Sequence, residues 1–267
     1  MIFFVLLSIY LIETEKPAWL GGVSFGLALC VKIMPLCFLP AVFFYLKGLR
    51  RRIYFFACVA LTFVFCSMPY LAQDPKAIWV TVFGYSSIYG HWGWTLLAYL
   101  TFPDLPTYLH QPYDVQGAHT IFAQALKAAT IALILLVSIW FNRRQPKPSL
   151  FLECGLITAI FLFMAPGFGV QYLVWLVPFV AALRLRWSLA YYSVSTAYLL
   201  SGYLCRASLE CLPPLVMVLV SITCWLLILV ILLTFRRCLN AQIEERMVGV
   251  GAVADNHLNR PKHLDYI

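Results

Sequence analysis

The sequence predicts an all-α fold: a polytopic transmembrane helix bundle of about nine hydrophobic segments with one long external loop. Three observations predict it. Hydrophobic residues make up 63% of the 267-residue chain and charged residues only 11%. A soluble domain is about 45–50% apolar and about 25% charged, and a single core hides only about three-quarters of its chain's surface. Second, the apolar residues form continuous runs rather than alternating ones. That excludes the strands of a membrane barrel and leaves helices to satisfy the backbone in lipid. Third, the net charge of +8 is gathered into small basic clusters at the ends of those runs, the placement of the positive-inside rule.

In chain order, Met1–Ile12 is apolar from its first residue and lacks the basic lead-in of a signal peptide. It is too short to cross about 30 Å, which takes about 20 helical residues. A chain that opens inside an apolar run is expected to be the continuation of a longer one. Glu13-Thr14-Glu15-Lys16 closes this segment, and Pro17 opens the next, Ala18–Val31, at a helix start. Lys32 interrupts it. Ile33–Leu46 ends at the cluster Lys47 to Arg52, and Ile53–Leu71 is an uninterrupted span. These N-terminal helices, 1–71, form the first region. The aromatic-rich stretch 72–120 is the external loop. Then come Ile121–Phe141, Leu150–Ala165, Tyr172–Leu183, Trp187–Leu204 and Leu215–Phe235, the C-terminal helices of 121–235. The tail, 236–267, is polar and expected to fray in the cytoplasm.

Placing Arg50-Arg51-Arg52 in the cytoplasm puts Arg143/Arg144, Arg184/Arg186 and Arg236/Arg237 there by alternation. The external stretches then hold only Lys76 and Arg206, with Lys127 inside a span. The cell membrane is the expected location. Nucleic acid is excluded as a partner, because the basic residues form no stripe on a polar domain. Membrane lipid is the expected surrounding; the oligomeric state is not legible. The nine cysteines mostly lie inside apolar runs and read as small hydrophobic fillers; Cys205 and Cys211 are the one pair that an external loop could bring together.

Three features could carry chemistry. The first is Lys32 within Val31-Lys32-Ile33-Met34-Pro35, an ammonium between apolar runs, at about 2.5–3.5 kcal/mol on insertion scales. It is either a lysine snorkelling from a short helix end or a point-charge contact for phosphate. The second is Ala165 to Pro178, an external turn feeding an aromatic helix. Tyr172 and Trp175 read as interfacial belt residues, or Gln171 and Tyr172 hydrogen-bond a sugar or phosphate. The third is the long external stretch, with His91, Trp92, Trp94, Asp104, His110, Asp114 and His119. Rings, carboxylates and histidines are the materials of a sugar or headgroup site, and a stretch this long is usually functional. Asp104 or Asp114 is a candidate general base. The His110, Asp114 and His119 spacing matches no metal signature, so no metal ligand is expected. No G-x-S-x-G, P-loop, H-E-x-x-H or dinucleotide fingerprint occurs.

The segment Gly21 to Pro40, with its G-x-x-x-G-L-A spacing, Lys32, Pro35 and Leu39-Pro40, resembles a segment of GT-C type integral-membrane glycosyltransferases. The nearest groups are the polyprenyl-phosphate-mannose-dependent hexosyltransferases and related mannosyltransferases. Gln171-Tyr172-Leu173-Val174-Trp175-Leu176-Val177-Pro178 is similar to the external-turn segment of those enzymes. The resemblance implies that the chain is the C-terminal part of such an enzyme. It implies transfer of a hexose from a lipid-phosphate-linked donor substrate, with no other cofactor, to an acceptor on the external face. Lys32 would meet the phosphate, and Gln171 and Tyr172 would position the donor. The acidic residue that serves that family as catalytic base lies in a first external loop, and no position of this chain takes its place, since Glu13 and Glu15 fall on the cytoplasmic side. A transporter or a non-catalytic scaffold is the alternative. The scarcity of mid-span ionisable groups, limited to Lys32, Lys127 and Glu153, disfavours ion coupling.

Overall fold

The computed structural model describes residues 1–74, 76, 92–101, 118–144, 147–166, 169–206 and 214–258. Among them there are helices and no strand. The α-helices are α1 Ile2–Glu13, α2 Ala18–Val31, α3 Leu39–Tyr45, α4 Leu49–Gln73, α5 Gly93–Thr101, α6 Ala118–Arg143, α7 Leu150–Met164, α8 Val177–Val180, α9 Leu185–Arg206 and α10 Pro214–Leu258. Two 3₁₀ turns, Met34–Phe38 and Val170–Trp175, lead into α3 and α8. Among the described residues three helices are long and apolar enough to cross a membrane: Leu49–Tyr70, Gln124–Arg143 and Leu215–Glu245. Ile2–Glu13, Ala18–Val31, Met34–Tyr45 and Leu150–Met164 are apolar but shorter. Several of the apolar runs thus form helices that stop short of the hydrocarbon thickness.

Two further expectations change. The stretch between α4 and α6 is not loop throughout, since α5 folds within it. The tail is helical beyond Arg236, where α10 continues to Leu258 over 45 residues. No proline interrupts the chain between Pro214 and Pro261, so nothing removes a helical hydrogen bond there.

The basic clusters meet at one end of the bundle. Gly48, at φ +82°, makes the turn from α3 into α4, a left-handed conformation for which glycine has no steric penalty. Arg50, Arg51 and Arg52 then occupy the first turn of α4, where the helix dipole disfavours cations. Acceptors at neighbouring chain reversals offset this. Arg51 Nη2 donates to the Lys16 carbonyl at 3.2 Å and Arg52 Nε to Leu46 at 3.0 Å. Lys147 Nζ donates to the carbonyls of Phe44 and Tyr45 at 2.7 and 2.9 Å, closing the C-terminus of α3. Burial, helped by the charges of Arg52 and Lys47 and opposed by Glu153, lowers the Lys147 pKa from the ordinary lysine value.

α2 and α4 run side by side in parallel and pack through small residues. A Cβ on Gly22 would lie 2.5 Å from the Phe55 carbonyl oxygen and 2.9 Å from Cys58 Cβ. A Cβ on Gly26 would lie 2.6 Å from Thr62 Cβ, and Cys30 Sγ reaches the Thr62 carbonyl at 3.9 Å. The G-x-x-x-G spacing thus lets two backbones approach where lipid supplies no hydrophobic drive for association. Gly22→Val is expected to cost about 1–3 kcal/mol or more, as overpacking does, because a carbonyl rather than a side-chain tip must move. Thermal unfolding in detergent would show it as a lowered midpoint, and an unchanged midpoint would disprove the close packing.

α7 is the central pillar. Every residue from Leu152 to Ile160 is buried. Its N-terminal amide groups are met from α1: Glu13 Oε1 accepts from Ser149 Oγ at 2.9 Å and from the Phe151 amide at 3.2 Å. An anion suits that end of a helix. At the other end, orphan carbonyls of the last turn take indole donors. Trp92 Nε1 donates to Leu162 at 2.8 Å and Trp225 Nε1 to Phe163 at 2.9 Å. Inside α7, Glu153 is fully buried, and both its oxygens accept from Asn142 Nδ2 of α6 at 3.0 Å.

Candidate functional site

The site forms at the end of the bundle opposite the arginines. α2 leaves the basic end at Ala18 and covers 14 residues, about 21 Å at 1.5 Å per residue. That is short of a hydrocarbon core of about 30 Å. Lys32, the residue after α2, is extended at φ −161° and ψ 142°, and the chain turns back through Met34–Phe38 and α3. Lys32 therefore stands about 21 Å from the start of α2, short of the full thickness of a hydrocarbon core.

The second segment of interest comes to the same place. Lys32 Nζ lies over the Tyr172 ring at 5.1 Å and over the Trp175 ring at 5.5 Å from their centroids. Tyr172 and Trp175 stack on each other at 4.5 Å and 28°. Both are buried, with 8% and 9% of their surface exposed. The two rings are thus a platform for the ammonium rather than belt residues facing lipid. Cation–π attraction is strongest where water is excluded. Among the described residues no carboxylate pairs with Lys32, so its charge is held in position without being neutralised.

The platform stands on an irregular turn, which in lipid must find donors for its carbonyls. α9 supplies them. Tyr191 Oη donates to Leu173 at 2.6 Å, Tyr192 Oη to Val177 at 3.1 Å and Ser188 Oγ to Val180 at 2.8 Å. This explains why α9 is less apolar than a free-standing span. Tyr191→Phe leaves the buried Leu173 carbonyl unpaired, and about 1–3 kcal/mol of stability is expected to go with it. Unfolding measured beside Tyr192→Phe, whose hydroxyl is only partly buried, would show the larger loss for Tyr191; equal or negligible losses would refute the role.

Between α2, α4, α6 and this turn lies a cavity of about 860 Å³. Lys32, Lys127, Ser67, Tyr70, Tyr172 and Trp175 bring polar or aromatic groups to its wall. The rest is largely aliphatic, with Leu29, Leu36, Ile131, Ile134 and Leu135 among it. Its walls on α4 and α6 belong to helices that are mostly unburied, only 11% and 22% of their spans being inside the bundle.

The candidates named from the sequence divide as follows. Lys32 and Tyr172 meet in the cavity. Gln171 is exposed and outside its wall, its side-chain amide folded over Gly169, 2.8 Å from where a Cβ would stand. His91, Asp104 and Asp114 lie outside the described residues, as do His110 and Cys211. Trp92 is fully buried, with its indole N–H donated to Leu162, so it anchors α5 instead of offering a face to a sugar. Glu13 serves as a helix cap at the basic end. Two wall residues carried a signal that was not followed to the site. Lys127 showed as a charge inside an apolar run, and Trp175 sits three positions from Tyr172 in the same aromatic turn.

With this geometry in view, comparison with protein families matches residues 1–166 to glycosyltransferase family 87. The chain belongs to glycosyltransferase family 87. The resemblance to GT-C type membrane glycosyltransferases therefore holds. The matched region of this family 87 member carries α1 to α7 and includes both cavity lysines, and it ends before the Tyr172 and Trp175 platform. Curated proteins and solved structures give no match.

Proposed function

We propose that this family 87 glycosyltransferase transfers a hexosyl group, mannose being the first candidate, from a polyprenyl-phosphate donor to an acceptor on the external face of the cell membrane. The basic end of the bundle, with the tail of α10, faces the cytoplasm in this reading. One observation carries it: an ammonium held on stacked aromatic rings, with no carboxylate partner among the described residues, in a largely apolar cavity between the helices. A donor of this class has an apolar chain, a phosphate and a sugar, and the cavity offers aliphatic wall, cation and aromatic face in one place.

The reaction is a displacement at the anomeric carbon. The acceptor hydroxyl oxygen forms the new bond, and the bond from the anomeric carbon to the phosphate oxygen breaks. The electron pair leaves with the phosphate, and the hydroxyl proton passes to a carboxylate base. Lys32 stabilises the charge that grows on the leaving phosphate. Asp104 or Asp114 of the external stretch is the candidate for that base.

Membranes containing the chain, given labelled polyprenyl-phosphate mannose, are expected to transfer label to an external acceptor. Nucleotide-activated mannose supplied to the external face is expected to give none. Transfer from the nucleotide sugar alone would overturn the donor class, and counterflow of an unmodified solute in proteoliposomes without any transfer would replace the enzyme reading with a transporter.

A further inference from the structure

We propose that the cavity is a two-cation site whose second cation is Lys127, and that it binds the dianionic monophosphate of a long apolar alcohol more tightly than the corresponding phosphodiester. The proposal rests on the reading above, because such a monophosphate is the leaving product of that transfer. Its binding can nevertheless be measured without turnover.

The two lysines share one cavity wall but come from different helices, Lys32 from the end of α2 and Lys127 from α6. They lie at similar depth. Lys32 is about 21 Å along α2 from the basic end, and Lys127 is about 24 Å along α6 from Arg143, at 1.5 Å per residue. No Asp or Glu stands among the described residues of the wall. The site thus places two ammonium groups beside aliphatic side chains, surroundings that disfavour charge. An anionic occupant removes that disadvantage.

Charge matching then selects the occupant. A phosphodiester carries one negative charge. A phosphate monoester carries about −1.5 to −2 near neutral pH, its second pKa being about 6. One lysine suffices for the diester, and two match the monoester. Sugar transfer converts the first into the second, so Lys127 contributes most once the bond to the sugar is breaking. An interaction that strengthens as the reaction proceeds raises the rate rather than merely holding the substrate. The aliphatic residues Leu29, Ile131, Ile134 and Leu135 give the alcohol chain its surface.

The test measures binding of a polyprenyl monophosphate to the purified full chain in nanodiscs at pH 7.5. Its arms are a polyprenyl phosphodiester, the free polyprenol and inorganic phosphate. Lys127→Met is expected to weaken the monophosphate about tenfold, the loss of one charge-assisted contact. The diester should weaken less and the alcohol not at all. Lys127→Arg should restore most of the loss, and Lys76→Met, outside the cavity, should change nothing. Monophosphate binding should also weaken as pH falls through about 6 in the parent, and less so in Lys127→Met. Inorganic phosphate that binds as well as the lipid form would show a free-anion site and overturn the lipid assignment. Equal losses for monoester and diester, or no loss in Lys127→Met, would overturn the two-cation site. If sugar transfer that depends on Lys32 persisted alongside, the functional reading would stand while this proposal fell. Absence of transfer with the monophosphate preference intact would do the reverse.

Discussion

Lys32→Met is expected to lower sugar transfer from a polyprenyl-phosphate donor by about 10²–10³-fold, the scale on which removing one preorganised electrostatic contact acts. The loss should fall mainly on kcat, because a cation beside the leaving phosphate gains most when negative charge accumulates. The structure sharpens the expectation in two ways. Lys32 has no carboxylate neighbour among the described residues to consume its charge, and the Tyr172 and Trp175 rings hold it in place at 5.1 and 5.5 Å. Lys32→Arg keeps the charge but replaces a point ammonium by a planar fork, so partial recovery is expected. Trp175→Leu, which removes one face of the platform, should fall between the parent and Lys32→Met. If Lys32→Met turned over within about twofold of the parent, the difference would be under about 0.5 kcal/mol of barrier, and Lys32 would have no part in the chemistry.

The largest effect on stability is expected from Trp92→Ala, at about 3–5 kcal/mol, the range for truncating a buried aromatic residue. Trp92 has no exposed surface, its ring lies 5.4 Å from that of Tyr198, and its indole hydrogen bond holds Leu162. The alanine variant therefore loses packing and also leaves a carbonyl unpaired. Trp92→Phe keeps most of the volume and lacks the donor, so the difference between the two variants separates packing from hydrogen bonding. Thermal unfolding of both in one detergent would measure it. Loss confined to activity, with stability unchanged, would contradict the anchoring role.

Much of the architecture was legible because bilayer physics leaves strong marks. Continuous apolar runs announced helices, whereas the close contact at Gly22 and Gly26 shows only once α2 and α4 are seen side by side. The two segments around Lys32 and Tyr172 stood out for separate reasons, an ammonium amid apolar residues and an aromatic turn. Their meeting across about 140 positions was not legible, since neither spacing nor periodicity encodes a cation–π contact between distant turns. Lys127 hid for a related reason: one charge a turn inside a span reads as a snorkelling residue until the opposite wall is known. Trp92 misled in the other direction, because an indole in a polar stretch resembles a ligand platform as much as an anchor. α10 runs on past Arg236 because its sequence contains no breaker stronger than Gly249 and Gly251 before Leu258.

The dependence of α7 on its surroundings bears on how the protein is made. Its 15 residues fall below the length that a bilayer accepts unaided, and it carries a carboxyl group in its first turn. The carboxylate at its start comes from α1, and the indoles at its finish come from Trp92, just before α5, and from α10, the last of these synthesised well after it. Such a segment has little to gain from entering lipid alone. It should wait beside the translocation machinery until later helices arrive, so chains released before Trp225 emerges should leave this region open to proteases or thiol reagents that the finished bundle excludes.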